Sequence, residues 1–431
     1  MGQREEDFLT KGSPTRGLVG ATLGFFVGFA SVALYGPVAK NFKDIMGLSG
    51  IMLGFLVAAP QLTGSILRIP FGAWVDKVGG KKPFLVLLAC SIVGMAGLTL
   101  ILNLYYPDRL TKEFYPLVLF LGFLSGCGVA TFSVGIPQTS YWFPKNKQGF
   151  ALGAYAGLGN TAPGFFTILI PVALAALGLA GAYTLWFVFL VVGTVLYTII
   201  AHDAYYFQLV KHYPRDEAIK KAQKLGQELF PTGKLVEALK ISAKIIRTWL
   251  LVLLYFTSFG GFLALTTWFP SYWSLYHGVT LRMAGVLTAT CFSLLASFIR
   301  VYGGVISDKI GGEKTAVMSF ILVLIGAFIL VFANTFLPAL IGEIFMGAGM
   351  GIANAAVFKL VSKYVPEAVG GASGWVGGLG AFGGFVVPPI LGIFVDTYGK
   401  IGYARGFTVY IILAIVSIII SYRLKKLTEK R

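Results

Sequence analysis

Arg68-Ile-Pro-Phe-Gly72-Ala-Trp-Val-Asp76-Lys77-Val-Gly79-Gly80-Lys-Lys82 and Arg300-Val-Tyr-Gly-Gly304-Val-Ile-Ser-Asp308-Lys309-Ile-Gly311-Gly312-Glu-Lys314 superpose without a gap at an offset of 232. Arg, Gly, Asp, Lys, the glycine pair and a closing Lys recur at the same spacing, so the chain contains an internal repeat. A weaker echo joins Gly157-Leu158-Gly159 to Gly378-Leu379-Gly380. Each long copy closes an apolar run, so the repeat is a unit of membrane-spanning segments.

Composition agrees. Hydrophobic residues make up 56% of the 431, charged residues 12%, and mean hydropathy is +0.79, whereas a soluble domain carries about 25% charge. That excludes a disordered chain, a collagen-like chain and an ordinary soluble enzyme. Twelve runs reach the ~20 apolar residues that a spanning helix needs. They lie near 17–38, 48–74, 84–104, 115–139, 149–178, 182–202, 249–270, 281–305, 315–334, 337–361, 373–395 and 406–422. One long polar insert, 203–247, follows the sixth run and is expected to be a partly helical linker at the membrane surface. The organisation read here is therefore a six-helix half over 1–202, a linker over 203–247 and a second six-helix half over 248–431. The fold class is an all-α membrane protein of 12 transmembrane helices in two six-helix parallel repeats, related by an axis along the membrane normal.

The net charge of +17 is explained by topology. Most Lys and Arg fall in the N-terminal segment, the loops on one face, the linker and the C-terminal tail, and a basic face is the cytoplasmic one. Both termini are thus expected inside, in the cell (plasma) membrane. No basic stretch is interleaved with base-stacking aromatics, so no nucleic-acid partner is expected. Cys90, Cys127 and Cys291 are far apart in apolar runs and show neither metal-ligand nor disulfide spacing. No metal or cofactor is expected, no nucleotide-binding glycine loop is present, and the charged start at Met1 is not a cleavable signal.

Arg68 and Arg300 each precede their loop aspartate by eight residues, about 12 Å deeper at 1.5 Å per residue. A guanidinium near the bilayer midplane costs at least ~2.5 kcal/mol and must be partnered. Of the 18 carboxylates only Glu343 falls inside a span, and no histidine lies mid-span. Two symmetric buried arginines without an acid imply a small anion held between the halves. Their fork-shaped donors match a planar oxyanion such as nitrate, nitrite or a carboxylate, or an oxygen pair of phosphate.

The twice-present Gly-x-x-x-Asp-Lys-x-Gly-Gly pattern resembles the loop between the second and third helices of the major facilitator superfamily. In that fold Asp76 and Asp308 would cap or pair with neighbouring helix ends as gating loops on the cytoplasmic side. Within the superfamily the chain resembles the nitrate/nitrite porters. The residues carrying this are Phe143-Pro144-Lys145-Asn-Lys147-Gln148-Gly149, then Gly157-Leu158-Gly159-Asn160, the glycine-rich 374–384, and Leu254-Tyr255-Phe256-Thr-Ser-Phe259-Gly260. The resemblance implies that Arg68 and Arg300 grip the anion. Phe132 and Phe259 would sandwich its flat face, and Asn160 and Tyr255 would donate to its remaining oxygens. Gly157, Gly159, Gly378 and Gly380 would be the signature glycines, packing helices closely. The second signature has Ala381 where the first has Asn160, and Pro388-Pro389 follows, so an asymmetric shell and a broken or bent eleventh span are expected.

The partners implied are nitrate, nitrite and membrane lipid, with a monomer as the working unit and no enzymatic activity. An anion reduces the site's charge from +2 to +1 as the halves close, which favours exchange of nitrate for nitrite over nitrate–proton symport. A carrier of small organic anions and a transporter-like nitrate sensor stay open, the sensor disfavoured by the short tail after Tyr422.

Overall fold

A computed structural model describes residues 10–231 and 234–429, and they are helical apart from turns. Eleven apolar helical segments are long enough to cross a membrane. The 53-residue segment Gln148–Ile200 holds two crossings, turning at Gly178, whose φ of 69° belongs to the left-handed region that only glycine enters freely. Twelve spans result. Most sequence boundaries hold within a few residues, with the largest misses at Met46 and Arg405, and Gly178 separates the fifth and sixth where the fifth run was expected to end. Large apolar side chains such as Phe120, Leu177, Ile199 and Phe328 stay more than half exposed on the outside, as a lipid-facing surface requires and a water-facing one does not tolerate.

Several spans break at mid-depth, and local sequence explains one break directly. Pro70 has no N–H to donate to the carbonyl of Ile66, and the second span parts at Leu67 into Gly50–Ile66 and Arg68–Val78. The fourth tightens into a 3₁₀ turn over Cys127–Ala130. The seventh widens into a π turn over Phe256–Gly260. The fifth breaks at Asn160-Thr161 and the eleventh between Leu379 and Gly383. The bend expected in the eleventh span is present, but Pro388 and Pro389 sit inside the helix Gly383–Tyr398. The break falls at Gly380-Ala381-Phe382 instead. Irregular backbone survives at this depth only where it is buried in protein or lines a cavity, so these breaks mark the centre of the molecule.

The two faces differ. On the face opposite the linker the halves are shut. A Cβ on Gly50 would lie 2.4 Å from the carbonyl oxygen of Gly392, and one on Gly392 would lie 2.2 Å from that of Gly50. Asp396 accepts from the backbone N–H of Gly50 and, at 2.8 Å, of Ile51. A carboxylate on a helix N-terminus is worth about 1 kcal/mol, and here it ties the eleventh span to the second. On the linker face a cavity of about 370 Å³ opens between the halves. The linker is partly helical, over Tyr205–Leu209, Arg215–Lys224 and Leu235–Ala243. Its first part builds a small core of its own around Trp142. Helix Leu235–Ala243 lies against the start of the eleventh span, where Trp375 Nε1 donates to the Leu239 carbonyl at 3.0 Å.

Candidate functional site: an anion pocket at the meeting of the halves

Arg68 begins the helix that follows the Leu67 break and is 2% exposed. Its Nε donates to the Gly64 carbonyl at 2.9 Å, and Nη1 reaches across to the Gly377 carbonyl of the other half at 3.1 Å. Nη2 is buried without a partner, a deficit of about 1–3 kcal/mol. The guanidinium carbon lies 4.9 Å from the ring centre of Phe132 and 5.1 Å from that of Phe259. Those rings are 6.2 Å apart at 27°. The arginine therefore caps a pair of nearly parallel plates, one from each half, and each face contributes about 0.5–2 kcal/mol of cation–π attraction.

Backbone irregularity places the plates. Phe132 directly follows the 3₁₀ turn of the fourth span, and Tyr155 of the fifth holds it there by donating to the Phe132 carbonyl at 2.9 Å. Phe259 sits within the π turn of the seventh span, a device frequent at functional sites. Tyr255 stacks on Phe259 at 5.1 Å and 13°. Its hydroxyl is buried without a partner, and it lies near enough to Arg68 to interact electrostatically.

Arg300 lies in the straight helix Leu294–Ile310, half-buried, and close enough to Arg68 for the two charges to repel. It shares a small cavity with Asn160, Ser297, Phe259 and Asn354. Asn160 is at the break of the fifth span, where its carbonyl accepts from Ser297 Oγ at 3.3 Å. Its side-chain Oδ1 is buried and unpartnered. Among the described residues no carboxylate comes within salt-bridge reach of either arginine; ion pairs such as Lys359–Asp308 and Lys363–Glu313 lie elsewhere. Glu343 is fully buried elsewhere, accepting from Trp273 Nε1 at 2.9 Å.

The larger cavity leads from this centre to the linker face past Arg68, Phe132, Gly72, Gly374, Leu239 and Asp76. Asp76 accepts from the Tyr141 hydroxyl at 2.6 Å, and Asp308 pairs with Lys359 at 2.5 Å. Each loop aspartate is thus bound inside its own half.

The signature glycines do not behave alike. A Cβ on Gly159 would sit 1.9 Å from Phe25, one on Gly378 2.8 Å from Ile69, and one on Gly380 2.8 Å from Tyr255. Gly157 faces nothing within 4 Å, so the close packing expected of it is absent in this structure.

All six residues expected at the substrate gather at the centre: Arg68, Phe132, Phe259 and Tyr255 in one cluster, Arg300 and Asn160 in the adjoining cavity. The sequence reading missed the Gly377 carbonyl, Tyr155, Ser297 and Asn354. For Asn354 a signal existed. Pro144 and Pro366 are 222 positions apart, as are Gly149 and Gly371, and so are Phe132 and Asn354.

Two parallel six-helix repeats around a central cavity define a class of membrane carrier, and the comparison of sequences agrees. The chain belongs to the Major Facilitator Superfamily, whose family model matches residues 21–290 and 276–431. It is 29% identical over 419 residues to the probable nitrate/nitrite antiporter NarK1 of Thermus thermophilus, covering 92% of this chain and 88% of that one. It is 27% identical over 404 residues to the probable nitrate transporter NarT of Staphylococcus epidermidis, covering 92% and 94%. Among solved structures, the partially occluded inward-open form of the xylose transporter XylE from E. coli matches with a TM-score of 0.72 at 14% identity, covering 95% of this chain and 97% of that one. At that identity the likeness is one of fold.

Proposed function

We propose that the protein is a secondary transporter that moves nitrate and nitrite across the membrane by alternating access, exchanging one for the other. One observation carries this reading. Two arginines, one from each half, line adjoining cavities at the centre with no carboxylate in salt-bridge reach among the described residues, and one of them caps a pair of near-parallel rings while an N–H donor goes unused. A flat, singly charged anion with oxygens at its edge answers each feature: ring faces for its plane, guanidinium forks for its oxygens. At an effective dielectric near 20, a unit charge ~4 Å from each guanidinium gains about 4 kcal/mol per contact. The names of the relatives, nitrate/nitrite antiporter and nitrate transporter, support the same substrate.

The geometry supports exchange as the coupling. Arg68 donates to the Gly377 carbonyl, so the halves are joined at the centre by a bond that an anion could replace. Closing both faces around two bare guanidiniums concentrates like charge in a water-poor space. An anion removes one unit of it, and the halves rock. Among the described residues no carboxylate adjoins the two arginines: the carboxylates buried in spans, Glu343 and Glu313, are engaged with Trp273 and with Lys363 and Tyr364, and Asp76 lies further along the cavity bonded to Tyr141, which favours exchange over proton symport.

The linker face is the cytoplasmic one, since it bears most of the Lys and Arg. The structure described is then inward-facing, with the opposite gate shut by Asp396 and the Gly50–Gly392 contact. Both termini lie inside, the membrane is a bacterial plasma membrane, and each chain works as a monomer with its own pathway.

Tracer nitrate uptake into proteoliposomes loaded with nitrite or with buffer, with and without an inward proton gradient, tests the reading. Uptake that requires internal nitrite or nitrate and ignores the proton gradient is expected. Proton-driven uptake into buffer-loaded vesicles would sink exchange, and no nitrate movement at all would sink the substrate.

A further inference from the structure

Asn354 lies on the tenth span and is 3% exposed. Its Oδ1 is buried and without a partner, although a buried side-chain amide ordinarily finds hydrogen bonds and loses stability without them. It lines the same small cavity as Arg300, Asn160 and Ser297. Four residues further along the same helix face, Phe358 lines the larger cavity and packs edge-on against Tyr255 at 5.1 Å. The tenth span thus turns one face toward both halves of the pocket.

The repeat gives this position its meaning. Asn354 is the counterpart of Phe132 at the 222-residue offset of Pro144/Pro366 and Gly149/Gly371. The eleventh span lacks an amide, having Ala381 where the fifth has Asn160. Each half nevertheless supplies one ring and one amide: Phe132 and Asn160 from the first, Phe259 and Asn354 from the second. The amide missing from the eleventh span is restored by the tenth. The buried amide oxygens of Asn160 and Asn354, both without partners, form a polar wall beside Arg300 in one small cavity. The cavity holds about 10 Å³, room for one water and too little for a nitrate. It is the contracted Arg300 side of the pocket, which must widen by separating Phe259 from Arg300 for an ion to be gripped from both halves.

We propose that Asn354 is a further anion-binding residue, which turns its amide N–H donors to an oxygen of the ion held by Arg300 and discriminates nitrate from nitrite. This rests on the nitrate/nitrite reading above. Nitrate has three oxygens, and two guanidinium forks with the Asn160 amide leave acceptor lone pairs on the third for a second amide. Nitrite has one oxygen fewer. Removing the donor therefore weakens nitrate more than nitrite.

The experiment compares wild type with Asn354→Ala and Asn354→Ser in proteoliposomes, measuring exchange KM and maximal rate for nitrate and for nitrite. A second readout is the rise in melting temperature of each purified protein with added nitrate or nitrite. A rise in nitrate KM of about tenfold for Asn354→Ala, the size of one lost hydrogen bond to a charged group, with a nitrite KM changed less than threefold, is the expected result. The nitrate-induced melting shift should shrink in parallel. Asn354→Ser, shorter and with a single donor, should fall between and guards against a packing defect in the alanine variant. Unchanged KM values for both ions, or an equal fall in maximal rate with KM unmoved, would overturn the assignment. If wild type itself exchanges neither ion, the functional reading fails; if wild type exchanges both and Asn354→Ala matches it, only Asn354 is dismissed.

Discussion

Arg68 caps a pair of rings, bonds carbonyls of both halves and leaves one nitrogen idle. Arg300, its equivalent 232 positions later, stands half-buried in an uninterrupted helix beside two amides. The difference comes from their neighbours. Pro70 breaks the second span directly before Arg68, and the eighth has Tyr302 at the matching position and runs straight through Arg300. One guanidinium is therefore anchored to carbonyls of both halves, and the other stands half-buried on its own helix. On the binding proposed above, a repeat that is symmetric in sequence yields a fixed jaw and a movable one.

Lysine substitution is the strongest way to break that comparison. A lysine keeps the charge and loses the planar fork. Arg68→Lys forfeits the ring contacts, the bond to Gly377 and the donors to the ion together, and nitrate exchange should fall at least 100-fold, about 2.7 kcal/mol of barrier. Arg300→Lys forfeits only donors to the ion, and a loss of about tenfold is expected. Initial rates of nitrite-loaded proteoliposomes decide it. Equal losses would mean that the two jaws are equivalent in the working cycle.

The two ends of the first glycine signature come next. A Cβ at Gly159 would collide with the ring of Phe25, which in turn packs on Phe132 at 5.3 Å. Overpacking of this kind costs about 1–3 kcal/mol, so Gly159→Ala should lower the melting temperature and depress exchange through Phe132. Gly157→Ala meets open space, and its gain in helix preference, about 0.5–1 kcal/mol, should leave the melting temperature unchanged or raised. A loss of exchange in Gly157→Ala without a loss of stability would show that this glycine packs in the opposite-facing state.

The contrast also marks what could be read from the chain and what could not. Hydropathy and the exact recurrence around Asp76 and Asp308 suffice for twelve spans, two halves and the pair of arginines, because burying charge in a membrane leaves few arrangements. Phe132 and Phe259 are two of 36 phenylalanines, and only the resemblance to a family singled them out. The π turn that aims Phe259 and the 3₁₀ turn before Phe132 carry no sequence mark, since nothing in Phe256–Gly260 forbids an ordinary helix. The Gly377 carbonyl is a backbone group and belongs to no side-chain pattern. Asn354 was legible through the repeat, but the offset there is 222 and not the 232 of the arginine loops, and a search at one spacing passes over it.

Between the two plates the effect should be smaller. Phe259 stacks on Phe132, Tyr255 and Phe262 and borders the small cavity beside Arg300, whereas Phe132 lines the larger cavity and is backed by Phe25 and Tyr155. Phe259→Leu should raise the nitrate KM about tenfold, or 1.4 kcal/mol, because it removes a ring face and loosens the partition between Arg68 and Arg300. Phe132→Leu should raise it about threefold, since its backing would hold the leucine in place. A larger effect at Phe132 would place the ion on the first half's side of the plates.

The smallest expected difference is between the loop aspartates, equivalent by sequence and unlike in exposure. The Asp308 carboxylate is 74% exposed in its pair with Lys359, and such pairs contribute about 0–1 kcal/mol. Asp76 is partly buried and accepts one hydrogen bond from Tyr141, which the carbonyl of an asparagine can also accept. Asp76→Asn and Asp308→Asn should therefore both melt close to wild type in this state, which is open on the linker face. Exchange is the sharper readout, because each aspartate is bound within its own half here and holds the halves apart by nothing. If either variant slows exchange tenfold while its melting temperature stays put, the lost interaction belongs to the state in which the linker face is shut. The pair would then differ from Asp396, whose bond spans the halves in the structure described and whose loss should lower the melting temperature of this form directly.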